Sequence, residues 1–285
     1  MDRVRNDSIV MVNGVELCVE AFGDPADPAI LLIAGSGSSM DWWEDDFCAR
    51  LAAGRRFVIR YDHRDTGQSA SSPPGAPDYS YEALLEDPVG VLVAFGVEAA
   101  HVVGISMGGA IAQLVALDHP ERVSALTLIS TSAGAGDPDL PGMREEAGQA
   151  MARAFPSDWT DRDTLIERLT QYSRAFASPR RAFDEDAMRA LWARVIDRTK
   201  NIESSMTNHD ILPGESRRWR ESLAELDVPT LVIHGDDDPL FGIEHGAALA
   251  REIPGAELLT LERTGHELPR AMWDVVVPAI LAQTR

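Results

Sequence analysis

The chain has 285 residues, 45% hydrophobic and 25% charged, which suits one soluble core domain carrying an inserted piece. A formal charge of −20 argues against nucleic acid and anionic membrane surfaces as partners, since both are recognised through basic patches. No apolar run reaches the roughly 18 residues of a membrane span, and the first residues lack the apolar stretch of a signal peptide, so the expected location is the cytoplasm.

Residues 8–22 predict two strands around Asn13–Gly14, a pair that accepts the positive φ of a tight hairpin. AILLIAG (29–35) is a continuous apolar run ending in Gly, as in a buried parallel strand. A helix over 42–53 and a strand over 55–62 follow. Residues 63–79 are rich in turn formers, among them Pro73, Pro74, Gly75 and Pro77. Next come a helix over 80–95, a strand over 99–105, a helix over 107–120 stopped by Pro120, and a strand over 123–130. The alternation predicts an α/β fold with a mainly parallel sheet.

The pattern then breaks. Residues 134–142 are Gly/Pro-rich and read as a linker, and 143–212 carry helical patterns without a strand. Aromatic and methionine residues are scattered through this stretch: Met143, Met151, Phe155, Trp159, Tyr172, Phe176, Met188, Trp192 and Met206. They either pack the helices together or wall a pocket beneath them. Strands over 228–235 and 256–262, with helices over 243–252 and 269–283, restore the series. The prediction is therefore an eight-stranded core of residues 1–133 and 217–285, interrupted after its sixth strand by a helical insert, 134–216. Cys18 and Cys48 show no CxxC or metal-ligand spacing, and both read as buried, reduced thiols. No metal or cofactor is expected.

HVVGISMGGAIAQ (101–113) carries the chemistry. Gly104, Ser106 and Gly109 come near the dinucleotide fingerprint GxGxxG. However, Ser replaces the second Gly, and no acid follows about 20 residues on. The better reading is G-x-S-x-G, with Ser106 on a sharp strand-to-helix turn that lifts its hydroxyl above the sheet. A serine needs a base, and in this arrangement the order is serine, acid, histidine. Of seven histidines, His63 and His101 precede Ser106. His119 reads as a helix-end residue, His209 lies in the insert, and His234 and His245 read as structural. His266 follows the last strand in a loop, RTGHELP, and is the expected base. The acid is expected in HGDDDPL, as Asp238 before Pro239, with Asp236 and Asp237 solvated. The oxyanion hole would take backbone N–H groups from Met107 and, in the loop AGSGSSM, from Ser36.

These motifs are together recognisable. The chain resembles the α/β-hydrolase superfamily along essentially its whole length. RYDHRDTGQS, HVVGISMGG, ALDHPERVSALTLI and VPTLVIHGDDDP resemble the anthracycline methylesterases of polyketide pathways. Many relatives carry Gly where this chain has Asp65. The resemblance implies an α/β-hydrolase fold and a cofactor-free serine esterase that cleaves a methyl ester on a polycyclic substrate. It assigns Ser106, Asp238 and His266 to a triad and Ser36 and Met107 to the oxyanion hole. RYDHRD reads as structural, its Asp and Arg fixing nearby loops. The partner expected is a large, apolar small molecule, and a homo-oligomer is compatible with the sequence. Two alternatives share the motif: lactone or amide hydrolysis by the same residues, and a non-catalytic receptor of the same fold.

Overall fold

A computed structural model describes residues 7–134, 137–156, 158–213 and 218–284. The hairpin forms as the sequence predicts. β1 (Ser8–Val12) and β2 (Val15–Phe22) pair antiparallel, and Asn13 and Gly14 take φ of 51° and 84° between them. β2 also pairs antiparallel with β4 (Phe57–Tyr61). The rest of the sheet is parallel: β3 (Ala29–Ile33), β5 (Ala100–Ile105), β6 (Val123–Ile129), β7 (Thr230–Gly235) and β8 (Glu257–Leu261). The strand order is β1-β2-β4-β3-β5-β6-β7-β8.

The alternation of side chains along each strand makes two core layers. Leu31 and Ile33 of β3 face one layer, filled by Leu84 and Val91 of α2 (Tyr81–Ala94), Ile111 of α3 (Met107–Asp118) and Leu249 of α8 (Ile243–Glu252). Ile30 and Leu32 face the other, filled by Phe47 and Leu51 of α1 (Asp45–Ala53) and Trp273 and Ile280 of α9 (Trp273–Gln283). Burial on both faces is why β3 reads as an unbroken apolar run.

The helix expected from residue 42 starts later. Met40–Trp42 form a separate short turn, and α1 begins at Asp45. The cause is the motif RYDHRD. The Asp62 carboxylate accepts the Met40 N–H at 2.8 Å, and Arg60 donates to the Trp43 carbonyl, so residues 40–43 are held against β4. Arg60 also pairs with Glu20 and Asp45, and Arg64 makes two 2.8 Å bonds to Asp87.

Between β6 and β7 lie α4 (Glu145–Ala154), α5 (Arg162–Phe176), α6 (Glu185–Arg198) and α7 (Ile202–Thr207). Asp161, Asp184 and Asn201 start the last three by accepting backbone N–H groups that the first turn leaves free. Leu169, Leu191, Trp192, Val195 and Met206 give these helices a small core of their own. Arg198 of α6 reaches the sheet and binds Asp62 at 2.6 Å. The expected linker residues 135 and 136, and the expected end of the insert at 216, lie outside the described residues. Among the described residues, no helix is long and apolar enough to cross a membrane.

Candidate active site

β5 ends at Ile105 and α3 begins at Met107, so Ser106 alone makes the turn. Its φ of 55° and ψ of −120° are a conformation that a residue with a Cβ rarely adopts, at a cost on the order of 1–3 kcal/mol. The surroundings hold it there. Ser106 N–H donates to Ile129 O at 3.0 Å, and Ser106 O accepts from Gly109 N–H at 2.9 Å and the Thr131 hydroxyl at 2.7 Å. The flanking glycines are a steric necessity. A Cβ on Gly104 would sit 2.1 Å from Gly108 O, and one on Gly108 would sit 2.3 Å from Ile33 O. Any side chain at either position pushes the strand and helix apart.

The other two residues come from loops at the same sheet edge. β7 ends at Gly235, where a Cβ would meet Thr264 O at 2.2 Å, so the loop after β7 lies directly against the loop after β8. Asp238 Oδ1 accepts the backbone N–H groups of Leu240 and Phe241, both at 2.9 Å. This fixes Oδ2, which lies 2.8 Å from His266 Nδ1. His266 Nε2 lies 3.0 Å from Ser106 Oγ. Burial pulls the Asp238 carboxyl upward, but the His266 charge and hydrogen bond, with His234 and the Phe241 N–H, outweigh it and hold the pKa below the ordinary value. Ser106, His266 and Asp238 thus form one chain of hydrogen bonds. Ser36 lines the same cavity, and the neighbouring Gly35 is close enough that a Cβ on it would lie 3.4 Å from Ser106 Cβ. Met107 is the first residue of α3, where the N–H has no partner four residues back.

The cavity above Ser106 measures about 850 Å³. Its apolar walls include Trp42, Phe155, Tyr172, Met188, Trp192 and Met206. Trp42 meets Trp192 edge to face at 5.2 Å. Met143, by contrast, is 42% exposed and is not part of the wall. Asp210 is among the carboxylates that border the cavity and accepts from the Ser36 hydroxyl at 3.4 Å; burial pushes its pKa up.

Asp236 and Asp237 depart from the solvated reading. Arg180, just beyond α5, pairs with Asp236 at 2.7 Å and Asp237 at 2.6 Å, and Asp237 also accepts from the Ser178 hydroxyl. Beside them, Phe176 O accepts the His266 N–H at 2.8 Å, and Arg181 donates to Arg263 O at 2.9 Å. Residues 176–181 therefore clasp both loops. Sequence reasoning missed this, because an acidic run carries no mark of the arginine that will face it.

The remaining histidines have partners of their own. His101 lies between Thr127 and Thr284, His234 Nε2 donates to Phe241 O, and His245 lies between Ser132 and Pro141 O. Burial lowers the pKa of His63 to about 4, of His101 to about 3 with help from Arg56, and of His209 to about 4 with help from His63. The sign follows from linkage. Unfolding returns these imidazoles to about 6.5, so below that pH the unfolded chain binds more protons and stability falls as acid is added. The urea midpoint is expected to drop between pH 7 and pH 5. The drop should be smaller in His101→Gln, and an equal drop would show that His101 is not buried neutral. Among the described residues, no group of His, Cys, Asp or Glu is arranged to hold a metal.

A serine on a strained strand-to-helix turn, facing a histidine and an acid from later loops of a parallel sheet, is an arrangement suited to a hydrolase of α/β architecture. The sequence profile of the α/β-hydrolase fold matches residues 28–269, and the chain belongs to that family. Rhodomycin D methylesterase of Streptomyces sp. strain C5 is 37% identical, and that of Streptomyces peucetius 36%, each over 95% of both chains. A hydrolase from Pseudomonas aeruginosa has a similar structure, with a TM-score of 0.71 at 28% identity, covering 97% of this chain and 98% of that one. By this kinship the activity is that of a carboxylic ester hydrolase.

Proposed function

We propose that Ser106, His266 and Asp238 are the catalytic triad of this esterase, and that its substrate is the methyl ester of a bulky polycyclic acid of the polyketide type. The hydrogen-bonded chain opening into a large aromatic cavity carries the reading. Ser106 Oγ attacks the ester carbonyl while His266 Nε2 takes its proton. Backbone N–H groups of Ser36 and Met107 bind the resulting oxyanion, and the N-terminal end of α3 favours the charge. His266 returns the proton to the leaving methoxide, releasing methanol and an acyl-enzyme. Water, deprotonated by the same imidazole, then hydrolyses that acyl-enzyme. Asp238 stays ionised and keeps the proton on Nδ1. Every step uses the chain's own groups and water. Residues 134–216 act as a cap on a core of 1–133 and 217–285. The two methylesterase relatives support a substrate of rhodomycin D type, met in the cytoplasm.

Comparing kcat/KM for the methyl ester of a fused-ring carboxylic acid with that for methyl acetate tests the substrate class. Selective contacts worth about 3 kcal/mol give a preference above about a hundredfold for the larger ester. Equal rates would leave a general small-ester or lactone hydrolase.

A further inference from the structure

We propose that His209, contributed by the insert, is a positioning residue for the oxyanion loop, anchoring the Gly37 end of the turn whose preceding peptide, Gly35–Ser36, carries the Ser36 N–H. The inference rests on Ser36 supplying an oxyanion donor.

Residues 35–38 form a turn closed by Ser38 N–H donating to Gly35 O at 3.2 Å, with Gly37 at a φ of 66°. A positive φ at the third residue makes this a type II turn. Types I and II differ by a flip of the central peptide, here Ser36–Gly37. Glycine at the third position lowers the barrier between them, because it takes φ of either sign. The closing hydrogen bond is common to both forms, so contacts on Gly37 add to the glycine's own preference and, through the shared Ser36 Cα, steady the Gly35–Ser36 peptide that carries the donor. Gly37 N–H donates to His209 Nδ1 at 3.1 Å, and in the flipped form a carbonyl would face that lone pair instead. Gly37 O accepts from the Ser205 hydroxyl at 3.1 Å.

His209 is itself built for this task. Its Nε2 lies 2.9 Å from Arg64 O, an atom that can only accept, so the proton sits on Nε2 and Nδ1 is the acceptor. His63 packs edge-on against its ring at 5.8 Å and donates from Nε2 to Ala34 O at 3.0 Å, bracing the residue before the turn. Asn208, next in the chain, bonds to Asp65 at 2.9 Å. Asp65 has a φ of 68° and also accepts from the Tyr79 hydroxyl at 2.8 Å. The strained Asp65 is thus part of the bracket that seats His209.

Two amide variants separate the roles of the two ring nitrogens. His209→Asn puts its carbonyl oxygen near the Nδ1 position and keeps an acceptor for Gly37. His209→Gln puts its amide near Nε2 and keeps only the bond to Arg64 O. The readouts are kcat and KM for a methyl ester, and the affinity of a trifluoromethyl ketone, which forms a tetrahedral oxyanion adduct on serine. Loss of a direct oxyanion donor costs about 10²–10³ in kcat, so misplacing one should cost Gln about 10–100-fold, with KM within about threefold. Ketone affinity should fall in parallel, and Asn should recover most of both. Equal losses in Asn and Gln, or a loss confined to KM, would reduce His209 to a packing residue. If neither variant folds, Ser205→Ala reads the same turn: kcat down about threefold or more at constant KM supports the proposal, and unchanged kcat overturns it. Wild-type enzyme treated with a fluorophosphonate is the control. Failure to label Ser106 would sink the triad itself, whereas normal labelling with an indifferent His209→Gln sinks only this inference.

Discussion

Alanine at position 106 is expected to lower kcat by about 10⁴-fold or more and leave the fold intact. The hydroxyl is the attacking atom of the proposed triad, and alanine retains a Cβ of the same size at the strained turn. The backbone bonds that hold that turn run through Ser106 N, Ser106 O and Thr131, none of which the substitution removes. The thermal midpoint should therefore move by no more than a few degrees, and fluorophosphonate labelling should disappear. Residual turnover above about a tenth of wild type would remove Ser106 as the nucleophile.

Asp238→Asn is expected to cost about 10³–10⁴ in kcat. Asparagine can keep its oxygen toward Leu240 and Phe241 N–H, where Oδ1 accepts now. Its NH₂ then faces His266 Nδ1 and can only donate. The imidazole is driven to carry its proton on Nε2, the atom that must accept one from Ser106. Asp236→Asn and Asp237→Asn should each change kcat by less than about tenfold, because their partners are Arg180 and Ser178 and not His266. If either of these proves the crippling change, the acid belongs to a different residue of the run.

The parts of the site that were legible in the sequence are those whose physics is local. A nucleophile turn needs small residues on both sides of one serine, and Gly104 and Gly108 display that need within five positions. The parallel sheet was legible for the same reason, since burial on both faces leaves unbroken apolar runs. His266 and Asp238 emerged from chain order, because both lie in loops that follow later parallel strands and so open at the same sheet edge as Ser106. His209 gave no such sign. Its function is a contact 172 residues away with the backbone of Gly37, and backbone has no residue type to recognise. The late start of α1 was hidden likewise, since it depends on Asp62 capturing the Met40 N–H across 22 residues.

The clasp of residues 176–181 on the loops bearing Asp238 and His266 bears on how such enzymes diversify. A lid that merely covered a pocket could be exchanged between relatives as a module, altering substrate choice and leaving the chemistry alone. Here Arg180, Arg181 and Phe176 O are among the outside supports of the loops bearing Asp238 and His266. A transplanted segment would have to bring equivalent groups to the same places or leave those loops unsupported. New specificity is then more accessible by changing single side chains on the cavity wall, such as Met188 or Phe155, than by recombining whole segments.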